Sequence, residues 1–541
     1  MSVTRRDLFK LGGVGGLGLV GAGLVTVPIS TVSAKSASQL GSADMPKPYA
    51  AAFYRPPVLK PQSTSVDPDG AKVNHYRITM RQADAQILPR KKTGILGYEG
   101  IFPGPSIELE QGTRAVVHMR NQLPQFHPKF GHLMATSTHL HGSASLPQYD
   151  GYASDVTPRG FCKDYHYPNF QPARTLWYHD HGVHFTAQNV YSGLAGLYIM
   201  HDKLERALLP QGAYDVPLVL SDAMFAADGS LGYDDRDHSG LWGDVVLVNG
   251  RPWPVMKVQP RVYRFRMLNA SVSRSYRPSL STGDPLYIVA TDGGLMPSTQ
   301  AVSNWRHGMA ERYEVLIDFS KYKPGQRIEL RNLSNPNNRD YDHTNKIMAF
   351  DVVAPPSESA MKLDPKWNVI PTKLADSHVM ALTEKDAEKK RYFRVEHEGT
   401  GEPWTISDVT WEDVIASNFK LVSADPRLDA VEVWEIENKS GGWFHPVHIH
   451  LIDFQILSRN GKAPFGYEKG PKDVVYVGEG EKVKVIMKFG PHKGRYMVHC
   501  HNLPHEDHSM MIQFRVGLAA DDPDPNDPIH AAPCELDTET D

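Results

Sequence analysis

Long helical periodicity is rare in this chain, which argues against a helical fold as its main architecture. Neither sign of charge is in excess: the formal net charge is −4 at pH 7. That leaves no electrostatic case for nucleic acid or an anionic membrane as the partner. Beyond Ala34 no second long apolar run occurs, so nothing after that point reads as a stable membrane insertion. Cysteine is scarce: Cys162, Cys500 and Cys534 are the only three among 541 residues, and at most one disulfide can close within the chain.

What is present reads as a large β protein. The chain is 40% hydrophobic and 22% charged, ordinary for a globular protein and long enough for several domains. The segments 482-KVKVIMKF-489 and 311-ERYEVLIDF-319 alternate apolar and polar residues with period two, the mark of strands with one buried face. Glycine and proline punctuate the chain throughout, with 44 and 41 residues, and an all-β sandwich or barrel class follows. A weak repeat supports three similar domains: 115-AVVHMRNQL-123, 262-VYRFRMLNAS-271 and 431-VEVWEIENKS-440 each run as a strand closing on an asparagine, Asn121, Asn269 and Asn438. Linkers are expected at 202–215 and 354–368. The predicted domains are 45–205, 212–356 and 370–541, the last ending in an acidic surface tail at 520–528 and onward.

The N-terminus, 4-TRRDLFKLGGVGGLGLVGAGLVTVPISTVSA-34, places Arg5 and Arg6 before a charge-free run and ends on small residues. It reads as a twin-arginine export signal over 1–34, cleaved after Ala34. The alternative is a membrane anchor, but its many glycines leave the run only weakly apolar. The mature protein is expected to be soluble, in the periplasm or secreted. An oxidising compartment of that kind permits a disulfide.

Histidines cluster in four places: 139-HLHG-142, 177-WYHDHGVH-184, 443-WFHPVHIH-450 and 499-HCHNLPHEDHSMM-511. In a strand, residues i and i+2 share a face, so each H-x-H pair projects two imidazoles together. One such pair is weak evidence; four in one chain call for metal. The same alternation turns Cys500 away from His499 and His501, so one short strand faces two sites. On the cysteine side, His445 and His505 complete a trigonal set and Met510 can add a long axial thioether, the donor set of a blue-copper electron-transfer site. Iron or zinc could use cysteine and histidine, but neither accounts for flanking histidines that face elsewhere. On the other side His139, His141, His179, His181, His448, His450, His499 and His501 suit a cluster of about three copper ions.

With these motifs the chain resembles the multicopper oxidases, the family of laccases, ascorbate oxidase and bilirubin oxidase. All four copper motifs stand in the family's order, and H-C-H-x3-H-x4-M is highly specific. Within the family, 139-HLHGSASLPQYDGYASD-155 and the Trp443-x-His445 pair look closest to bilirubin oxidases and spore-coat laccases. The resemblance implies three consecutive cupredoxin-like domains, the middle one without copper motifs and serving as structure. It also implies one type 1, one type 2 and two type 3 copper ions. Type 1 copper would be held by His445, Cys500, His505 and Met510, and type 2 by His139 and His448. The type 3 pair would be held by His141, His179, His181, His450, His499 and His501. The trinuclear cluster would then lie between the first and third domains.

The implied activity is one-electron oxidation of phenolic, aminophenolic or tetrapyrrole donors coupled to reduction of dioxygen to water. Asp150 and Glu506 sit where the family places proton-supplying acids. The plainer reading of Asp150 is a turn residue before Gly151, and of Glu506 an acid that orients its loop. Trp443 would share the face of His445 and lie at the substrate end of the type 1 site, or simply pack there. His505 would be the exposed point where electrons arrive. His118, His127, His132, His166, His184, His201 and His508 match no ligand position. Cys162 and Cys534 resemble the fungal laccase arrangement, in which a first-domain cysteine bridges to the C-terminal tail; two unrelated free thiols are the alternative. Other function classes are a cuprous oxidase for copper tolerance and an inactive structural relative. The 18 methionines form no rich block of the kind the first often carries, and the second requires lost ligands, of which there are none. The protein is expected to act as a monomer, with dioxygen, a small donor and the twin-arginine export machinery as its partners.

Overall fold

The computed structural model describes residues 37–236, 238–355, 365–397, 399, 402–518 and 531–534. The export signal and the acidic stretch 520–528 lie outside the described residues. Strands dominate, and among the described residues they form three successive pairs of larger sheets along the chain, with one small two-stranded sheet in the first unit. The all-β, cupredoxin-like class is therefore the observed one.

The three asparagines mark equivalent places in three copies of one pattern. The strands Arg114–Asn121, Val262–Asn269 and Val431–Asn438 each end on the asparagine. Each pairs in parallel with an earlier, non-adjacent strand of its own unit, with Met80 opposite Asn121, Leu220 opposite Asn269 and Val395 opposite Asn438. Each asparagine also does the same work. Its Oδ1 accepts the backbone N–H two residues on, at 3.1 Å from Leu123 and 3.0 Å from Ser271 and Ser440. Its Nδ2 donates to the carbonyl of a later segment, that of Thr157, His307 or Gly478. An asparagine side chain that mimics a turn of backbone ends a strand without orphaning its polar groups.

Two sequence expectations change in detail. Strand Arg312–Asp318 alternates in sequence but is buried on both faces. Its polar side is not solvated: Glu314 meets Arg264 and Arg266, and Thr175 of the first unit donates to Glu314. A buried polar face is tolerated where every charge finds a partner. The expected linker at 202–215 carries a helix, Lys203–Leu208, capped by Asp202, which accepts from Glu205 N at 2.7 Å. Glu205 then pairs with the same two arginines.

The units share their interior. The largest apolar cluster joins Val216, Phe265 and Val315 of the middle unit to Trp177 and Leu197 of the first and Val474 and Leu503 of the third. The third unit adds its own cluster, which contains Val447, Cys500 and Met510. Near the C-terminus, Ala532–Pro533 adds an edge strand to the first unit's sheet beside Phe161–Tyr167, and Cys162 and Cys534 form a disulfide.

Candidate metal centre

Four strands bring the histidines together. Thr138–His141 and Arg174–Asp180 are neighbours in the first unit, with His139 opposite His179. His445–Ile449 and Gly494–Cys500 are neighbours in the third, with His448 opposite His499. The two strand pairs face each other across the interface of the first and third units, and every one of the eight imidazoles is buried.

Hydrogen bonds fix which ring nitrogen points inward. His139 Nδ1 donates to the carbonyl of Asp150 at 2.5 Å and His448 Nδ1 to that of Asp473 at 2.8 Å. A carbonyl only accepts, so in the neutral rings both Nε2 atoms carry lone pairs, yet these lie 3.4 Å apart. Burial holds both rings neutral by pushing their pKa well below the usual histidine value. His450 Nε2 and His181 Nε2 approach His499 Nε2 at 3.2 and 3.1 Å. His141 Nδ1, His179 Nε2 and His501 Nε2 are buried without a hydrogen-bond partner among the described residues. Inward lone pairs and orphaned nitrogens are what cations satisfy, and outward nitrogens held by oxygen are how metal-binding histidines are oriented. The residues fit copper: His139, His141 and His179, His139, His448 and His450, and His181, His450 and His499 each bring three ring nitrogens within 4.8 Å of one another.

Behind His499, on the other face of the backbone, lies the trigonal set. Cys500 Sγ is 3.4 Å from His445 Nδ1 and 3.8 Å from His505 Nδ1, and the two nitrogens are 3.3 Å apart. An ion at the centre of such a triangle sits about 2 Å from each corner, a metal–nitrogen bond length. His505 Nε2 donates to the carbonyl of Ser239 at 3.0 Å, leaving Nδ1 as the donor atom for metal. The backbone N–H of Asn502 reaches Cys500 Sγ at 3.3 Å. Burial raises the Cys500 thiol pKa, a tendency that a coordinated cation reverses. Met510 is buried in the same cluster as Cys500, and its N–H donates to His505 O.

The family models for multicopper oxidases match residues 79–205 and 394–519, the two segments that carry these sets. Over 86% of its length the chain is 40% identical to the bilirubin oxidase of Albifimbria verrucaria, covering 81% of that protein. It is 32% identical to the laccase of Bacillus subtilis, with 84% of this chain and 96% of the laccase covered. The chain belongs to the multicopper oxidases. Among solved structures, the McoA multicopper oxidase of Aquifex aeolicus superposes with a TM-score of 0.75 at 27% identity, covering 86% of this chain and 99% of that one. This multicopper oxidase is accordingly a copper-dependent oxidoreductase with dioxygen as acceptor.

The two acids sit on the imidazoles, and their surroundings shift them in opposite directions. Asp150 closes a 3-10 turn, so the turn reading holds, and Gly151 follows with a φ of 78°. Its Oδ2 also meets His450 Nδ1 at 2.7 Å, while Oδ1 is buried 3.6 Å from His139 Nδ1, with no hydrogen bond among the described residues. Burial pushes this carboxyl well above the usual carboxylate range. For Glu506, burial opposes ionisation, but His499 and His181 beside it bring the carboxyl down to about 2. Its Oε2 lies 2.8 Å from His499 Nδ1 and its Oε1 3.6 Å from His181 Nδ1.

Some expectations are corrected around the trigonal set. His505 is not an exposed point of electron arrival; it is wholly buried. Its ring is covered by Trp404, stacked at 3.7 Å, and its Nε2 is capped by Ser239. Trp443 precedes the strand that begins at His445, so strand alternation does not set its direction. It is half-buried and meets His505 edge-on at 5.8 Å. The middle unit does more than separate its neighbours. Arg312 binds Asp473 through two nitrogens and donates from Nε to the Thr175 carbonyl, so it touches both other units. Asp473 in turn meets His141 Nε2 at 3.1 Å. Sequence reasoning missed Asp473, Arg312 and Trp404, none of which lies in a metal motif. The remaining histidines behave as plain residues: His118 pairs with Asp164, His201 with Glu205, and His508 stacks on His238.

Proposed function

We propose that this oxidase removes single electrons from phenolic, aminophenolic or tetrapyrrole donors and spends four of them, with four protons, on reducing dioxygen to two waters. The observation that carries this reading is the strand Gly494–Cys500 with the residue after it. Cys500 belongs to the trigonal set while its chain neighbours His499 and His501 belong to the larger one. Bound copper supplies one-electron acceptance at the first set and dioxygen reduction at the second. The chain's own residues supply the wiring and the protons.

Asp150, which burial inclines to hold a proton, is the donor to the dioxygen side through Oδ1, the oxygen that His450 does not hold. Glu506, ionised between His181 and His499, is the acceptor that relays the next proton inward. The bilirubin oxidase and laccase relatives support the donor classes named. Oxygen uptake with bilirubin, a methoxyphenol, an aminophenol and Cu(I) as alternative donors tests the choice. A marked preference for Cu(I) would replace this reading with that of a cuprous oxidase.

Export through the twin-arginine route to the periplasm or medium, as a monomer, belongs to the same proposal. The Cys162–Cys534 disulfide supports it, since such bonds persist in oxidising compartments. Fusing residues 1–34 to a reporter that works only after export, with Arg5 and Arg6 replaced by lysine as the control, tests the route. A signal that survives the lysine pair would sink it.

A further inference from the structure

Because His505 is wholly buried, an electron must reach it through another group. Two aromatic residues offer contact. Trp443 meets His505 edge-on, at 5.8 Å and 89°. Trp404 lies flat on the same ring, at 3.7 Å and 20°, and also packs on His445 at 5.4 Å. Trp404 is itself only 1% exposed. It is, however, the direct cross-strand partner of His397 in the hairpin of Lys389–His397 and Trp404–Ile406. The two rings stack at 4.0 Å and 15°. His397 is half-buried, and its Nε2 bonds to the carbonyl of Glu402, an exposed residue.

We propose that His397 and Trp404 form the conduit by which electrons enter the oxidase, with the donor docking at the His397 edge of the hairpin. Electronic coupling falls steeply across a gap and much less through π systems in face contact. The stack His397–Trp404–His505 has two such contacts and no gap. The Trp404 ring is also held in position, because its Nε1 donates to the carbonyl of His238 at 3.0 Å, and Ser239, the next residue, caps His505. One middle-unit segment thus fixes both rings. In each event the donor loses one electron, a phenolic donor also giving its proton to water. A copper ion that Cys500, His445 and His505 would hold would accept that electron, and the two side chains would end unchanged. The inference rests on the chain being a copper oxidase, not on the donor class, so a wrong choice of physiological donor leaves it standing.

The test is anaerobic stopped-flow reduction by ferrocyanide, following loss of the blue absorption in Trp404→Leu, Trp404→Phe, His397→Ala and Trp443→Phe. The type 1 potential and copper spectra are measured for each variant. We expect bleaching to slow at least about tenfold in W404L and several-fold in H397A, with spectra and potential kept. W404F, which retains a flat ring, recovers most of the rate, and W443F, whose contact with His505 is edge-on, slows bleaching less than W404L does. Should W404L fail to hold copper, W404F and H397A decide the matter. Unchanged bleaching in H397A and W404L would overturn the proposal. So would a loss confined to W443F, or slowing fully matched by a shift in potential, the mark of a merely structural role.

Discussion

Arg312 of the middle unit and Asp473 of the last form a buried two-point ion pair, with Nη1 2.7 Å from Oδ1. That Oδ1 also meets His141, and the Asp473 carbonyl meets His448. A unit without a single copper ligand therefore sets the orientation of two.

Replacing Arg312 by alanine strands the Asp473 carboxylate in the interior, a loss of about 3–5 kcal/mol for a broken buried pair. We expect a lower unfolding midpoint together with loss of copper from the His139–His448 position, read by metal analysis and electron paramagnetic resonance. Arg312→Lys keeps the charge but not the fork, and should fall between the two. Full copper content and an unshifted midpoint in the alanine variant would contradict the linkage.

Asp150→Asn preserves shape and removes the transferable proton. The blue band should stay, because Asp150 touches the His450 side of the interface and not the trigonal set. Oxygen turnover should fall by about 100-fold or more, the size of a general acid's contribution. Undiminished turnover would take Asp150 out of the proton path.

Cys500→Ser separates the two sets. The protein should lose its blue colour and its turnover while the eight imidazoles keep their copper. Metal analysis would then count one ion fewer per chain. Retained blue absorption would show that another residue supplies the sulfur.

Cys162 and Cys534 stand 372 residues apart in sequence. Serine at both positions should cost about 2–5 kcal/mol, lowering the unfolding midpoint without altering the blue band. In copper-free, denatured protein, reduction should raise the thiol count from one to three. A count that reduction leaves unchanged would mean that no disulfide forms.

The copper ligands are legible in the sequence because metal geometry writes itself into short spacings. H-x-H at a strand end must place two rings on one side, and H-C-H must place the thiol on the other. The asparagine repeat is legible for a similar reason, since Asn121, Asn269 and Asn438 each act on a residue two positions away. Asp473 and Arg312 leave no such trace: their partners lie in other units, and neither position differs locally from an ordinary buried ion pair. Trp404 is hidden as one of nine tryptophans, its role depending on which ring the fold lays against it. The burial of His505 escapes sequence reading for the same reason, because the covering segment at Ser239 lies 266 residues away.

The strand at Ala532–Pro533 and the bond beside it make the molecule a covalent ring. From Cys162 onward the backbone runs through the rest of the first unit, all of the second and all of the third before returning to its starting sheet. A single proteolytic cut in any loop along that circuit opens the ring without freeing a fragment. The two groups of histidines, contributed from opposite ends of the chain, would stay tethered across their interface after such damage.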